Sequence, residues 1–301
     1  MFDERQPAGQ RALYVALCSG KGGVGKSTVA LLLAARLAEE GYRTLLIDAD
    51  LGNGDISTMS NAVIDVGFEQ LLAGEVRLQD AATRIGARLW LIGTQPGVYL
   101  TRDNITPKGL KECSEIDSIF DVVLIDTSSS LDPLNIELIA GTDLVTTVTT
   151  PQIGAVADSY IQLKKVLQQR AAARCGVIIN RIETETEGEQ AKTKFKELVE
   201  RLLLTELTPL GVLANHPALQ QAAEGQVLLG FIRQRNEVNR SLTSIVNMLK
   251  EKHLSKTRIG RSLWDRFQVS YRLKDVGTFD DTKVVVPELP KRVPAESLLT
   301  K

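Results

Sequence analysis

Short runs of Val, Leu and Ile alternate with helical patterns almost to residue 250. The strand candidates are residues 13–18 (LYVALC), 43–48 (RTLLID), 88–93 (RLWLIG), 121–126 (DVVLID), 143–148 (DLVTTV), 176–180 (GVIIN) and 210–214 (LGVLA). Most are continuously apolar, as parallel strands covered on both faces are. Helical periodicity predicts helices near 26–40, 106–118, 154–170, 189–204 and 236–252, the first closed by Gly41. Strand–helix alternation implies right-handed crossovers. The predicted fold is α/β, a doubly wound, mostly parallel sheet of about seven strands. The acidic stretch 183–189 (ETETEGE) reads as a solvated loop.

The pattern divides the chain into a polar lead (1–12), a main domain (13–252) and a basic appendage (253–301). With 301 residues, the chain can bury a large core without staples. The net charge of −1 gives no global pull toward nucleic acid, but residues 250–301 carry 12 basic and 7 acidic side chains. The start is too polar for a signal peptide. The longest near-apolar stretch, 28–38, contains Arg36 and is far short of a membrane span. The expected location is cytoplasmic. Cys18, Cys113 and Cys175 lack metal-ligand spacing, and Cys18 and Cys175 sit in strand-like runs where thiols are small buried hydrophobes. His216 and His253 are the only histidines, which argues against histidine acid–base chemistry and zinc sites.

Residues 19–28 (SGKGGVGKST) hold the densest chemistry. Gly20, Gly25, Lys26 and Ser27 fit G-x-x-x-x-G-K-[ST], after a strand and at a helix start. In that setting, backbone N–H groups curl around a β-phosphate, Lys26 reaches the β/γ oxygens and Ser27 coordinates Mg²⁺. Asp126, ending an apolar strand, and Asp48 are further carboxylates for the metal. Asp50 is placed to orient an attacking water. Lys21 lies at the start of the loop, where Lys26's task is out of reach.

The segment KGGVGKS resembles the deviant Walker A signature of the MinD/ParA family of P-loop ATPases, with the FlhG/MinD-like branch the nearest likeness. The resemblance spans roughly residues 12–250. It implies an ATP- and Mg²⁺-dependent homodimer in which Lys21 contacts the partner's nucleotide. It implies nucleotide contacts from Gly20, Gly22, Gly23, Val24, Gly25, Lys26, Ser27, Thr28 and, at the adenine, Asn180. DADLGNGDIS (48–57) resembles the first switch segment, and Asp158, in the 149–167 stretch, matches an aspartate at the family's dimer and activator surface. Lys21, Asp55 and Asp158 are therefore interface candidates. The chain departs from the pattern at Asp55, Ser57, Gln152, Ala214 and Ser130, the last where the second switch usually has glycine.

The resulting expectation is a switch ATPase that controls the number or placement of a structure such as flagella or the division site, with an unknown activator. The alternatives are a ParA-type partition ATPase on nonspecific DNA, which the acidic body disfavours, and an ATP-binding scaffold with little hydrolysis. An iron–sulfur reductase relative would need paired cysteines near the switches. For the appendage two readings stand. Ile259, Leu263, Trp264, Phe267 and Tyr271 share one side of a helical wheel opposite Arg258, Arg261 and Arg272, which suits an anionic membrane surface. Phe267, Val269, Tyr271 and Leu273 also alternate as a half-buried strand that pairs with 283–289, packed on the body or a partner, and this reading is favoured.

Overall fold

The architecture follows from a computed structural model that describes residues 6–7, 10–50, 55–95, 97, 101–255, 258 and 260–267. In chain order the elements are β1 (Leu13–Cys18), α1 (Lys26–Glu39), β2 (Thr44–Ala49), α2 (Asp55–Ser60), α3 (Phe68–Leu72), α4 (Leu78–Ala81), β3 (Thr83–Arg84), β4 (Leu89–Ile92), α5 (Pro107–Ser114), α6 (Ile116–Ile119), β5 (Val122–Thr127), α7 (Pro133–Gly141) and β6 (Leu144–Thr149). They continue with α8 (Ile153–Gln169), β7 (Arg174–Ile182), α9 (Glu185–Leu203), β8 (Leu207–Ala214), α10 (Pro217–Glu224), α11 (Leu228–Phe231) and α12 (Glu237–Leu249).

The strands form one eight-stranded sheet in the order β3-β4-β2-β5-β1-β6-β7-β8, parallel throughout except for β3. The seven expected strands are all present. The eighth, β3, pairs antiparallel to β4 through only two residues, too short to leave a periodic signal. Along β1 the side chains alternate between faces. Leu13, Val15 and Leu17 pack with α1 and α12, whereas Tyr14 faces the layer of α3, α5 and α6. β1, β2, β4 and β5 are buried along their whole length, which is why their sequences are largely apolar without alternation, whereas the edge strands β3 and β8 are only partly covered.

Three local expectations change. The acidic stretch 183–189 is no loop beyond Thr184, because α9 begins at Glu185. The Thr184 hydroxyl accepts from the Glu187 N–H, and acidic residues in a first turn suit the positive helix end. The 106–118 helix breaks at Glu115 into α5 and α6. The third change concerns the tail. Residues 263–267 form a helical turn, and Leu263, Trp264 and Phe267 are buried in the same core layer as Phe68 and Leu110. These side chains are not free to face a membrane while packed there. Residues 268–274 of the alternation, the 283–289 run and Ile259 lie outside the described residues.

The turn is fastened at the N-terminal edge of the sheet. Arg11 grips Asp143 through two bonds of 2.6 and 2.7 Å, and Arg266 reaches the same carboxylate and the Gly141 carbonyl. Nearby, burial pushes the Asp117 carboxyl up to about 6, against the lowering pull of the Ser262 and Tyr14 hydroxyls and of Arg11. An acid raised in the folded state binds its proton more tightly there than when unfolded. Its contribution is present below the ordinary value of 3.8 and is lost as pH climbs through about 6. The full loss is up to about 3 kcal/mol. Denaturant midpoints at pH 4.5, 5.5 and 6.5 should fall in the parent and fall less in Asp117→Asn. Parallel slopes would remove Asp117 as the cause.

Candidate nucleotide site

The site forms where β2, β5 and β1 end side by side. The register sets Asp126 of β5 opposite Leu17 of β1 and opposite Asp48 of β2. In an open α/β sheet the crevice beyond the strand carboxyl ends is the expected ligand position. From Cys18 the chain loops through residues 19–25 into α1. Gly25 adopts φ +87°, and a Cβ there would lie 2.5 Å from the Asn180 amide nitrogen. A Cβ on Gly20 would lie 2.0 Å from the backbone of Asp158. Both glycines are therefore dictated by close packing, one on β7 and the other on α8. Asn180 Nδ2 donates to the Val24 carbonyl at 2.8 Å and pins the loop. The Ser19 hydroxyl donates to the Lys21 carbonyl at 3.1 Å.

Lys26 opens α1 and is only 6% exposed. Its ammonium lies 2.6 Å from Asp126 Oδ1 and 3.7 Å from Asp50 Oδ2. Burial alone would lower the Lys26 pKa, but Asp126 and Asp50 outweigh it and hold the lysine charged. Asp48 is fully buried. Desolvation and then the facing Asp126 push its carboxyl up to about 8. Its two oxygens accept the N–H groups of Asp50 and Ile56, so it ties the residue after β2 to the start of α2.

Two cavities meet at the loop. One of about 700 Å³ runs from Lys21, Gly22 and Val24 past Asn180 to Ala214 and His216. This is within the range of nucleotide and cofactor pockets. The other, about 420 Å³, joins Lys26, Ser27 and Thr28 to Asp50 and Asp55. The fold thus gathers the predicted lysines, Ser27, Thr28, Asp50, Asp55, Asn180 and the loop glycines. Lys21 and Asp55 are exposed. Asp48 borders neither cavity, and Asp158 meets the loop through its backbone. His216 caps α10, its Nδ1 accepting the Ala218 N–H.

Some site residues escaped the sequence reading. Arg181 lines both cavities and holds φ +56°. Its signal was a cation directly after the apolar run ending in Asn180. Asn215, whose amide donates to Glu183 at 2.9 Å, lines the larger cavity and gave no signal.

A divalent cation beside a polyphosphate has partial support from the donor set. Asp126 Oδ2 is buried without a hydrogen-bond partner among the described residues, and the Ser27 hydroxyl is near enough to lower the Asp126 pKa. No group of three or more His, Cys, Asp or Glu side chains among the described residues is arranged to hold a metal by itself. Phosphate and water oxygens would have to complete any such shell.

Comparison with known proteins agrees with this geometry. The CobQ/CobB/MinD/ParA nucleotide binding domain matches residues 15–246. The chain belongs to this family. Its relatives include a flagellum site-determining protein, YlxH, of Helicobacter pylori, 25% identical over 79% of this chain and 82% of that one. The antiactivator FleN of Pseudomonas aeruginosa is 25% identical over 70% of this chain and 77% of that one. Among solved structures, the MinC:MinD cell division complex of Aquifex aeolicus superposes with a TM-score of 0.67 at 21% identity, covering 83% of this chain and all of that one. The MinD of Pyrococcus horikoshii, solved with Mg-ADP, gives 0.65 at 19% identity over 81% and 97% of the two chains. The family is one of P-loop ATPases, and the fold of this MinD/ParA member is theirs.

Proposed function

We propose that this chain is an ATP-hydrolysing, dimerising switch of the MinD/FlhG type that sets the number or placement of a structure such as flagella or the division site. The observation that carries the reading is the buried Lys26–Asp126–Asp50 cluster at the start of α1, whose Lys26 and Asp50 line the cavity of about 420 Å³ that meets the nucleotide-sized one at the phosphate loop. On binding, Lys26 exchanges its carboxylate partners for β/γ-phosphate oxygens, while amides from Gly20 to Thr28 hold the phosphate chain. Asn180 is at hand for adenine, with Nδ2 on the loop and Oδ1 left to accept. Ser27 and Asp126, with Asp48 behind them, would hold Mg²⁺, which neutralises phosphate charge. Asp50 orients the attacking water.

Lys21 is exposed at the cavity mouth, suited to reach a second copy's nucleotide. Beside it α8 exposes Ile153 (82%) and Ile161 (46%), apolar area that a dimer would cover. Lys21→Ala should bind Mg-ATP as the parent does yet sediment as a monomer with ATP. Parent-like dimers in that variant would sink the trans-lysine role. Asp55 and Asp158 are the other interface candidates, and an activator protein is the expected regulator. No helix among the described residues is long and apolar enough to cross a membrane. We place the chain in the cytoplasm, with contact at the inner membrane requiring residues 253–301.

A second reading, ParA-type binding to nonspecific DNA, has one feature in its favour. Arg36, Arg233, Arg235 and Arg240 surround a groove of about 390 Å³ at the start of α12. Retention on DNA that collapses steeply with added salt would support it.

A further inference from the structure

The Arg181 guanidinium is an anion-binding group that the roles above do not use. It sits on a backbone built to aim it. The β7–β8 register shifts between Ile179 and Ile182, a bulge that breaks the regular alternation of side chains. Within the bulge Arg181 takes φ +56°, a left-handed conformation that a long non-glycine side chain rarely adopts. Such bulges redirect side chains beside functional sites. The neighbours hold the irregular backbone on both sides. Asn180 is tied to Val24 at 2.8 Å, and the Ile182 carbonyl accepts the Asn215 N–H at 2.8 Å.

The redirected side chain arrives over the phosphate loop. Its Nε lies 3.8 Å from where a Cβ of Gly25 would stand. Arg181 is one of five residues common to both cavities, with Gly22, Gly23, Gly25 and Thr28. It therefore stands at the waist between them, beside the glycine amides that cradle α- and β-phosphates. Among the described residues its guanidinium has no ion-pair or hydrogen-bond partner. The carboxylates nearest in sequence are engaged otherwise, Glu183 with the Asn215 amide and Glu187 with the Glu183 N–H.

We propose that Arg181 binds the α/β-phosphate oxygens of the nucleotide within its own chain, as a cation distinct from Lys26 and Lys21. This rests on the nucleotide-binding reading above. A planar fork of donors suits phosphate, and a contact at the α/β position serves ADP and ATP alike. It thus differs from a γ-phosphate contact, which would favour ATP.

The test is Arg181→Asn, measured by calorimetric titration with Mg-ADP and with Mg-ATP and by thermal unfolding without nucleotide. Asparagine tolerates the left-handed conformation but is too short to reach the phosphates. The expected result is at least a tenfold loss of affinity for both nucleotides, with a melting temperature equal to or above the parent's. Arg181→Lys, which keeps the charge but not the fork, should recover part of the loss. Affinity within twofold of the parent in Arg181→Asn would overturn the assignment while leaving the nucleotide reading intact. A selective loss of ATP would overturn the α/β placement. A variant that loses affinity and melts lower would instead make Arg181 a structural residue. A parent that binds neither nucleotide would overturn both inferences.

Discussion

Lys26→Ala is expected to weaken Mg-ATP binding at least tenfold, about 1.4 kcal/mol, and to destabilise the nucleotide-free protein as well. The first effect follows from removing the ammonium that the phosphate loop presents. The second follows from what Lys26 does without nucleotide. It is the partner of Asp126, a carboxylate with no exposed surface, and Asp48 lies in register beside it. Breaking a buried ion pair from one side costs about 3–5 kcal/mol, because the remaining charge is left in low dielectric. Part of that cost returns if Asp126 or Asp48 takes up a proton, so the destabilisation should grow with rising pH. Two measurements separate the effects: titration of folded Lys26→Ala with Mg-ATP, and urea unfolding at pH 6 and pH 8. Undiminished affinity in the folded variant would remove the basis of the ATP reading. A stability equal to the parent's at both pH values would show that Lys26 does not hold the carboxylates.

Much of this site was legible because phosphate chemistry leaves local marks. A glycine loop, its lysine and its serine must be contiguous in sequence, and they sit at the predicted strand–helix junction. The strands were legible for a related reason, since burial on both faces leaves runs of Val, Leu and Ile. What escaped depends on tertiary placement. Arg181 becomes a site residue only through the bulge that turns it, and a bulge has no compositional signature. The α9 start was hidden because acidic residues suit both a solvated loop and a helix N-terminus. The serines of 126–130 showed only as a missing glycine. In the fold the Ser128 and Ser130 hydroxyls lie 3.0 Å apart, and Asn135 Nδ2 donates to both carbonyls, so the loop is closed by side chains instead. The tail was the hardest part to read, since its wheel of apolar residues fits a membrane surface and a core equally. The packed reading is the one the sequence favours, but as a strand, whereas residues 263–267 form a helical turn.

Trp264→Ala should be the most damaging single change in that tail, at about 3–5 kcal/mol of folding stability. The indole is fully buried, with its ring centroid 6.2 Å from both Tyr14 and Phe68 in edge-on contacts. It therefore joins the end of the described chain to its first strand, and the aromatic contacts add to the area it buries. Releasing the turn to lie on a lipid surface would forfeit this packing. Each basic residue brought to an anionic surface returns about 1 kcal/mol. Of the nearest three, Arg258 and Arg266 already bond to backbone carbonyls. The gain from the surface is then no larger than the loss from the core, so the packed turn wins. Urea unfolding of Trp264→Ala, with Trp264→Phe as the ring-retaining control, measures the balance. A loss under about 1 kcal/mol, with Trp264→Phe indistinguishable from Trp264→Ala, would show that the turn contributes little to the core and is free to serve as a surface anchor.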